Sequence, residues 1–334
     1  MKVAIIHASY YEKASYNDDW LDALLNYDSS FSSYNLEKLN MVEYLKIISN
    51  YDYIIFLHTT NSNGFRFNRL LQNGGLRFRK GKIVFFVGNE YKLMKEKIDF
   101  ISKNKIEYVI SQLDVNAASW LYKNTNSKII SLPHALNLSS FSKTINHKDR
   151  KIDFGLRAGA YPSYLGHNDR EIIFSAIDQL PTNLIIDSSD DENARFRRED
   201  WNLFLNNCKF TLACEGGSNF LERNDATRLK INAYVNKHPS VTNEEIYDLF
   251  YLNYLGESIS ARTITARVFD AIGTFTCQIL IEGKYNQIIN PGEHYIELKR
   301  DFSNFSEVLE KISDTKLVEG LCENAYAIVS ENHT

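Results

Sequence analysis

Short runs that are apolar at every position alternate with segments of helical period along this chain, and the alternation occurs twice. In the first half the apolar runs are residues 2–7, 51–58, 82–87, 107–110 and 128–131, and the helical segments are 18–25, 39–49, 92–102 and 115–123. A strand that is apolar throughout, not at every second residue, is buried on both faces. Such strands separated by helices predict a parallel sheet covered on both sides, a doubly wound α/β unit. The turn-rich stretch from Pro133 to Arg150 then interrupts the pattern. Beyond it strands are expected at 151–156, 183–187, 210–214 and 278–281, with helices at 169–177, 194–206, 243–254, 261–271, 305–312 and 316–329. A chain of 334 residues suits two such units. The expected division is 1–135, 136–315 and a C-terminal helical segment 316–334.

Charge narrows the function classes. The net charge is −4, so a general nucleic-acid binder is not expected. Residues 1–135 hold 17 Lys+Arg against 13 Asp+Glu, and the remainder 21 against 29, so the halves suit different partners. Cys208, Cys214, Cys277 and Cys322 form no C-x-x-C pair and read as reduced, mainly buried thiols. The first apolar run is too short for a signal sequence, and no uncharged stretch approaches the ~18 residues of a membrane span. A cytoplasmic protein is expected. There is no Gly-x-Gly-x-x-Gly, no Walker lysine loop, no Gly-x-Ser-x-Gly and no strand-flanked Asp-x-Asp. Neither a cofactor nor a metal is expected.

Ligands of doubly wound sheets bind outside the carboxyl ends of the strands, so candidates are sought there. In 257–273, Ser258 and Ser260 are candidate N-caps of a helix through Ala271, with Gly273 as its stop. A helix start suits phosphate, and Thr265, Arg262 and Arg267 would add bonds to it. Asp270, three residues after Arg267, could accept two ribose hydroxyls; the alternative is an exposed Arg267–Asp270 pair on an ordinary helix. Glu215, Gly216, Gly217 and Ser218 directly follow a predicted strand, where the glycines allow close backbone approach and Glu215 could act as acid or base; the alternative is a tight turn with a solvated Glu. Arg157 ends another strand. Arg170 lies near a helix start, with a salt bridge to Asp169 or Glu171 as the plainer reading. His7 and His58 each end a strand in the first half. Residues 64–82 carry six cations, Arg66, Arg69, Arg77, Arg79, Lys80 and Lys82, interleaved with Phe and Leu and without an acid.

Arg267-Val-Phe-Asp270-Ala-Ile-Gly273, followed by Gln278-Ile-Leu and the tail from Tyr285 to Asn304, resembles the R-x-F-E-A-x-A-x-G helix of the group-1, family-4-like glycosyltransferases. The resemblance implies the GT-B fold, two Rossmann-like domains facing a cleft. It implies a nucleotide-sugar donor on the second domain, with Asp270 on the ribose and the helix start facing the diphosphate. The family's E-x7-E pair is not reproduced, because Arg262 occupies the place of the first acid. The first domain would bind a glycan or lipid-linked acceptor, with His7 or His58 near the reacting hydroxyl. The last helix would cross back to that domain, and 64–82 becomes a candidate peripheral contact at the inner face of the plasma membrane. The product implied is surface polysaccharide, such as lipopolysaccharide or capsule. A GT-B-like sugar-nucleotide epimerase and a non-catalytic two-domain scaffold are the alternatives.

Overall fold

The computed structural model describes residues 1–8, 16–63, 75–252 and 259–334. They form two compact units, Met1–Leu132 with Gly217–Ala261, and Pro133–Gly216 with Arg262–Thr334.

The first unit is built on six strands: β1 (Val3–His7), β2 (Ser32–Asn35), β3 (Tyr53–Phe56), β4 (Lys82–Phe86), β5 (Tyr108–Ser111) and β6 (Lys128–Ser131). All are parallel, in the order β2-β1-β3-β4-β5-β6. The crossovers are α1 (Tyr16–Tyr27), α2 (Met41–Asn50), α3 (Met94–Lys103) and α4 (Val115–Tyr122). Ala4 and Ile6 of β1 pack with Tyr44 and Ile48 of α2 and with Phe100 of α3 and Leu121 of α4. Val3 and Ile5, on the opposite face, pack with Trp20, Leu21 and Leu24 of α1. Helices on both faces are the reason these strands carry no polar alternation. A capping box starts α2: Asn40 Oδ1 accepts from the Glu43 amide and Glu43 Oε2 from the Asn40 amide.

The second unit continues with β7 (Ile152–Arg157), α5 (Asp169–Asp178), β8 (Ile186–Ser189), α6 (Arg198–Asn207) and β9 (Cys208–Ala213). The chain next forms α7 (Ala226–Lys237) and α8 (Asn243–Phe250), both within the first unit. It then returns with α9 (Ala266–Gly273), β10 (Cys277–Ile281), β11 (Ile296–Leu298), α10 (Phe305–Ser313) and α11 (Thr315–Asn332). The five strands are parallel in the order β11-β10-β9-β7-β8. One face of this sheet packs on α5, α10 and the start of α11. Leu280 of β10 faces the other way, into a cluster with Val268 and Phe269 of α9 and Val329 of α11.

The division differs from the expected one in two respects. Residues 217–261 belong to the first unit, because Leu221 and Ala261 bury in its core and Arg223 Nε donates to the Leu121 carbonyl at 3.0 Å. That segment carries a net charge of −2, so the two units hold +2 and −6. The last helix also stays in the second unit and does not cross back. Its buried positions Val318, Leu321, Cys322, Ala325 and Val329 all enter that unit's cores, and the Leu136 amide donates to the His333 carbonyl at 2.8 Å.

Among the described residues no helix is long and apolar enough to cross a membrane. Of the basic stretch, Arg66 and Arg69 lie outside the described residues. Arg79 pairs with Glu107 at 3.1 Å and Lys80 with Asp52 at 3.0 Å, so two of the four described cations are occupied by the protein's own acids.

Candidate functional site

In the second sheet β7 connects outward to β8 on one side, while β9 connects to β10 on the other. The crevice at the carboxyl ends of a neighbouring pair with diverging connections is where ligands of doubly wound sheets bind. Here that pair is β7 and β9, followed by Ala158-Gly159 and Cys214-Glu215-Gly216.

Three guanidinium groups gather at Gly159. Arg170, in the first turn of α5, donates to the Gly159 carbonyl and lies 3.7 Å over the Tyr161 ring. Arg267, in the first turn of α9, donates to the Arg157 carbonyl and lies 5.7 Å from the Trp201 ring. A methyl on Gly159 would sit 3.5 Å from Arg195 Nη2. Burial, and then the charges of Arg170 and Arg195, push Arg267 down to about 10. The acids nearby are committed: Glu192 pairs with Arg195 at 3.2 Å, and buried Asp270 accepts from Trp201 Nε1 at 2.9 Å. The α9 N-cap, Thr265, makes no side-chain capping bond, so it leaves the first α9 amides without a hydroxyl acceptor. Clustered cations at a helix start favour an anion with more than one charge.

Beside this cluster runs a ladder of alternating charge. Asp169, at the first position of α5 and 0% exposed, accepts from Arg262 Nη2 and from Arg300 Nε at 2.9 Å and Nη2 at 3.1 Å. Burial alone would raise this carboxyl; the Arg300 bonds and the charges of Arg262, His167 and Arg300 outweigh it and hold the group below the usual carboxylate range. Arg262 Nε lies 3.7 Å from Glu215 Oε2, and Glu215 Oε1 accepts from the Tyr285 amide at 2.7 Å. Arg300 also pairs with Glu282 at 3.4 Å. The Tyr161 hydroxyl donates to the Glu215 carbonyl at 3.4 Å, which joins the ladder to the arginine cluster. A methyl on Gly283 would lie 2.8 Å from Glu215 Oε2 and 2.9 Å from the Tyr285 ring. Gly283→Ala is therefore expected to displace the Glu215 carboxylate and to lower the melting temperature; an unchanged thermal melt would show that Glu215 needs no fixed position.

The structure gathers Glu215, Gly216, Arg170, Arg262, Arg267 and Thr265 around this crevice, and it redirects the rest. Arg157 turns away: Nη2 bonds Asp187 Oδ1 at 2.6 Å and the guanidinium lies against Phe196 and Phe204, so only its carbonyl joins the cluster. Ser260 is exposed in the first unit and is not a cap, and Ser258 lies outside the described residues. The helix starts at Ala266 because Gly216 and Thr263 pair as extended backbone, Gly216 amide to Thr263 carbonyl at 2.8 Å and the reverse at 3.1 Å. Gly217, at φ 85°, and Ser218, whose Oγ bonds the Phe220 backbone, form a turn belonging to the first unit. Asp270 supports Trp201 instead of standing open on a helix face. Sequence reasoning did not reach Asp169, Arg195, Arg300, Tyr161 and Trp201 as site residues; no local motif marks them, and Asp169 and Arg300 are 131 positions apart.

In the first sheet the diverging pair is β1 and β3; His7 is the last residue of β1 and His58 follows β3. Burial lowers the His7 pKa. His58 is buried, its ring 5.2 Å from Phe86 and 5.8 Å from Trp20, with Nε2 3.2 Å from Gln112 Nε2. Thr59 Oγ1 accepts from the Ala8 amide at 3.0 Å and links the two loops. Beneath them, buried Glu90 accepts from Ser111 Oγ at 2.7 Å, the Tyr122 hydroxyl at 2.6 Å and the Gln112 amide at 2.9 Å. Lys97 is 0% exposed and donates to the Gly88 and Asn89 carbonyls; burial lowers it to about 7. Between about 7 and 10.5 the unfolded chain holds a proton that folded Lys97 has lost, so this group makes stability rise with pH by ~1.4 kcal/mol per unit. Lys97→Met is expected to remove that increment, and denaturation of both proteins across pH 7–10 measures the difference; parallel curves would mean that Lys97 titrates normally.

No family model matches this sequence, and no curated protein matches it. Solved structures do. The chain aligns over its full length with 95% of Anabaena Alr3699/HepE in complex with UDP and glucose, at a TM-score of 0.59 and 10% identity. It likewise aligns with 96% of an alpha-glucosyltransferase in complex with UDP and a 13-mer DNA, at 0.58 and 10%. The same enzyme type in complex with UDP gives 0.55 at 10%. The fold is thus that of the GT-B structures, two Rossmann-like α/β units with parallel sheets.

Proposed function

We propose that this chain is a glycosyltransferase whose second unit binds a nucleoside diphosphate-sugar, with UDP as the nucleotide. The observation that carries the reading is the gathering of Arg170, Arg195 and Arg267 at Gly159, at the diverging strand pair, where Glu192 is paired with Arg195 and Asp270 accepts from Trp201. A diphosphate supplies the missing negative charge. The choice of UDP rests on the structural neighbours of the same fold that hold it.

In the reaction, the acceptor oxygen forms a bond to the anomeric carbon as the bond from that carbon to the diphosphate breaks. UDP leaves with the bonding pair. Arg170 and Arg267, with the α9 start, stabilise the charge that develops on the leaving oxygen. Glu215, which accepts from the Tyr285 amide and faces Arg262, is read as the group that holds sugar hydroxyls. The proton of the acceptor hydroxyl passes to a general base. The acceptor is read as a glycan or lipid-linked sugar. One neighbour is in complex with DNA, so the fold alone does not exclude a nucleic acid. A duplex calls for a strongly basic face, and the first unit's net charge is only +2.

Thermal stability against UDP, GDP, ADP, TDP and CMP tests the reading. A nucleotide at ~100 times its Kd stabilises the folded protein by about 2.7 kcal/mol. UDP is expected to give the largest shift, and UDP-sugars to release UDP on incubation with acceptor. A flat panel, repeated with the nucleotide sugars, would overturn the assignment in favour of a scaffold.

A further inference from the structure

The first unit carries a second concave site, at the amino ends of β1, β2 and β3, opposite to the ends where His7 and His58 lie. Its volume is about 620 Å³, inside the range of roughly 300–1,000 Å³ usual for small-molecule sites. Tyr34 and Tyr51 form one wall, with rings 5.9 Å apart and nearly perpendicular at 75° and with their hydroxyls bonded at 2.5 Å. Ile47, Ser32, Lys2 and Lys46 also line the site. Among the described residues no carboxylate lies within 4 Å of either lysine ammonium. The nearby acids are taken: Asp52 bonds Lys80 Nζ at 3.0 Å and the Lys2 amide at 2.9 Å, and Asp28 bonds the Ser30 amide at 2.9 Å.

We infer that this cleft binds an anionic saccharide, a short oligosaccharide carrying carboxylate or phosphate groups. The lysines supply two unpaired charges for the anion. The Tyr34 and Tyr51 rings, with their hydroxyls and that of Ser32, combine apolar and hydrogen-bonding groups, which fits a pyranose with its apolar face and hydroxyl edge. The site is independent of the nucleotide assignment, since it lies in the other unit and shares no residue with the arginine cluster.

The test is calorimetric titration of the full chain with trigalacturonate, alongside maltotriose, inorganic phosphate and UDP. Trigalacturonate is expected to bind, and maltotriose and phosphate to bind at least about tenfold more weakly. Lys46→Glu, an exposed position on α2, should weaken trigalacturonate at least about tenfold while thermal stability and UDP affinity stay at wild-type values. Absence of trigalacturonate binding up to about 10 mM would overturn the inference. So would unchanged affinity in Lys46→Glu, equal binding of maltotriose (a neutral-sugar site) or equal binding of phosphate (an unspecific anion site). Because UDP is titrated in the same series, failure here is separate from failure of the nucleotide site.

Discussion

Exchange of Arg267 for methionine is expected to weaken UDP binding by one to two orders of magnitude while the unliganded protein stays within about 1 kcal/mol of wild type. A charge-assisted bond from arginine to phosphate contributes roughly 1.5–3 kcal/mol, which converts to that loss. Stability should change little because two effects oppose each other. The variant gives up the bond from Arg267 to the Arg157 carbonyl and the contact with Trp201. It also removes a buried cation that burial, and then the charges of Arg170 and Arg195, lower to about 10. An arginine kept only for structure would behave in the opposite way, with lower stability and unaltered nucleotide affinity. The lowered pKa adds a second signature: wild-type UDP affinity should fall as pH rises past about 10, where an unperturbed guanidinium is still charged. Calorimetric titration of wild type and Arg267→Met across pH 7–10.5, with thermal melts of both, decides the matter. Wild-type affinity in the variant would remove Arg267 from the site.

What the sequence discloses follows from how local each feature is. The strands with both faces covered, such as β1, β4 and β10, are apolar at nearly every position and so mark a parallel sheet without further help. The edge strand β2, Ser-Ser-Tyr-Asn, has no such run and was not foreseen; the same holds for the three-residue edge β11. The helix α7 buries only Thr227 and Ile231, so its pattern is too weak to read. The start of α9 shifts from the region of Ser258 to Ala266 because Gly216, 47 positions earlier, holds Thr263 in an extended pairing. Strand ends are legible in the sequence, yet the direction of a side chain there depends on the neighbouring strand. Arg157 ends β7 as expected, and Asp187 on β8 claims its guanidinium. The partners of Asp169 come from a loop before α9 and a turn after β11, and no spacing along the chain connects them.

That carboxylate is where the largest stability effect is expected. Asp169→Ala removes the carboxylate that accepts from Arg262 Nη2, and it leaves Arg262, side chain 9% exposed, facing Glu215 at 3.7 Å. Taking one partner from a buried ion pair costs about 3–5 kcal/mol, because the other charge stays buried without its counter-ion. The ladder joins α5 to the segments after β9, β10 and β11, so the second unit is the part expected to melt early. Asp169→Asn, which keeps the shape and one acceptor oxygen, should lose less. The pH dependence has a definite sign. A carboxyl held below its unfolded value of 3.8 contributes fully at neutral pH, and the contribution disappears as pH falls below that value. Wild type should therefore lose stability more steeply than Asp169→Ala in the acid range, with the two curves converging there. Turnover separates this role from general weakening. Measured at a temperature where the variant is folded, Asp169→Asn should lower kcat by at least about tenfold and UDP affinity by less than threefold, since Arg262 moves against Glu215 while Arg170 and Arg267 stay in place. Equal loss of kcat and affinity would instead place Asp169 in the nucleotide contacts themselves, and full activity would reduce the ladder to a purely structural clamp.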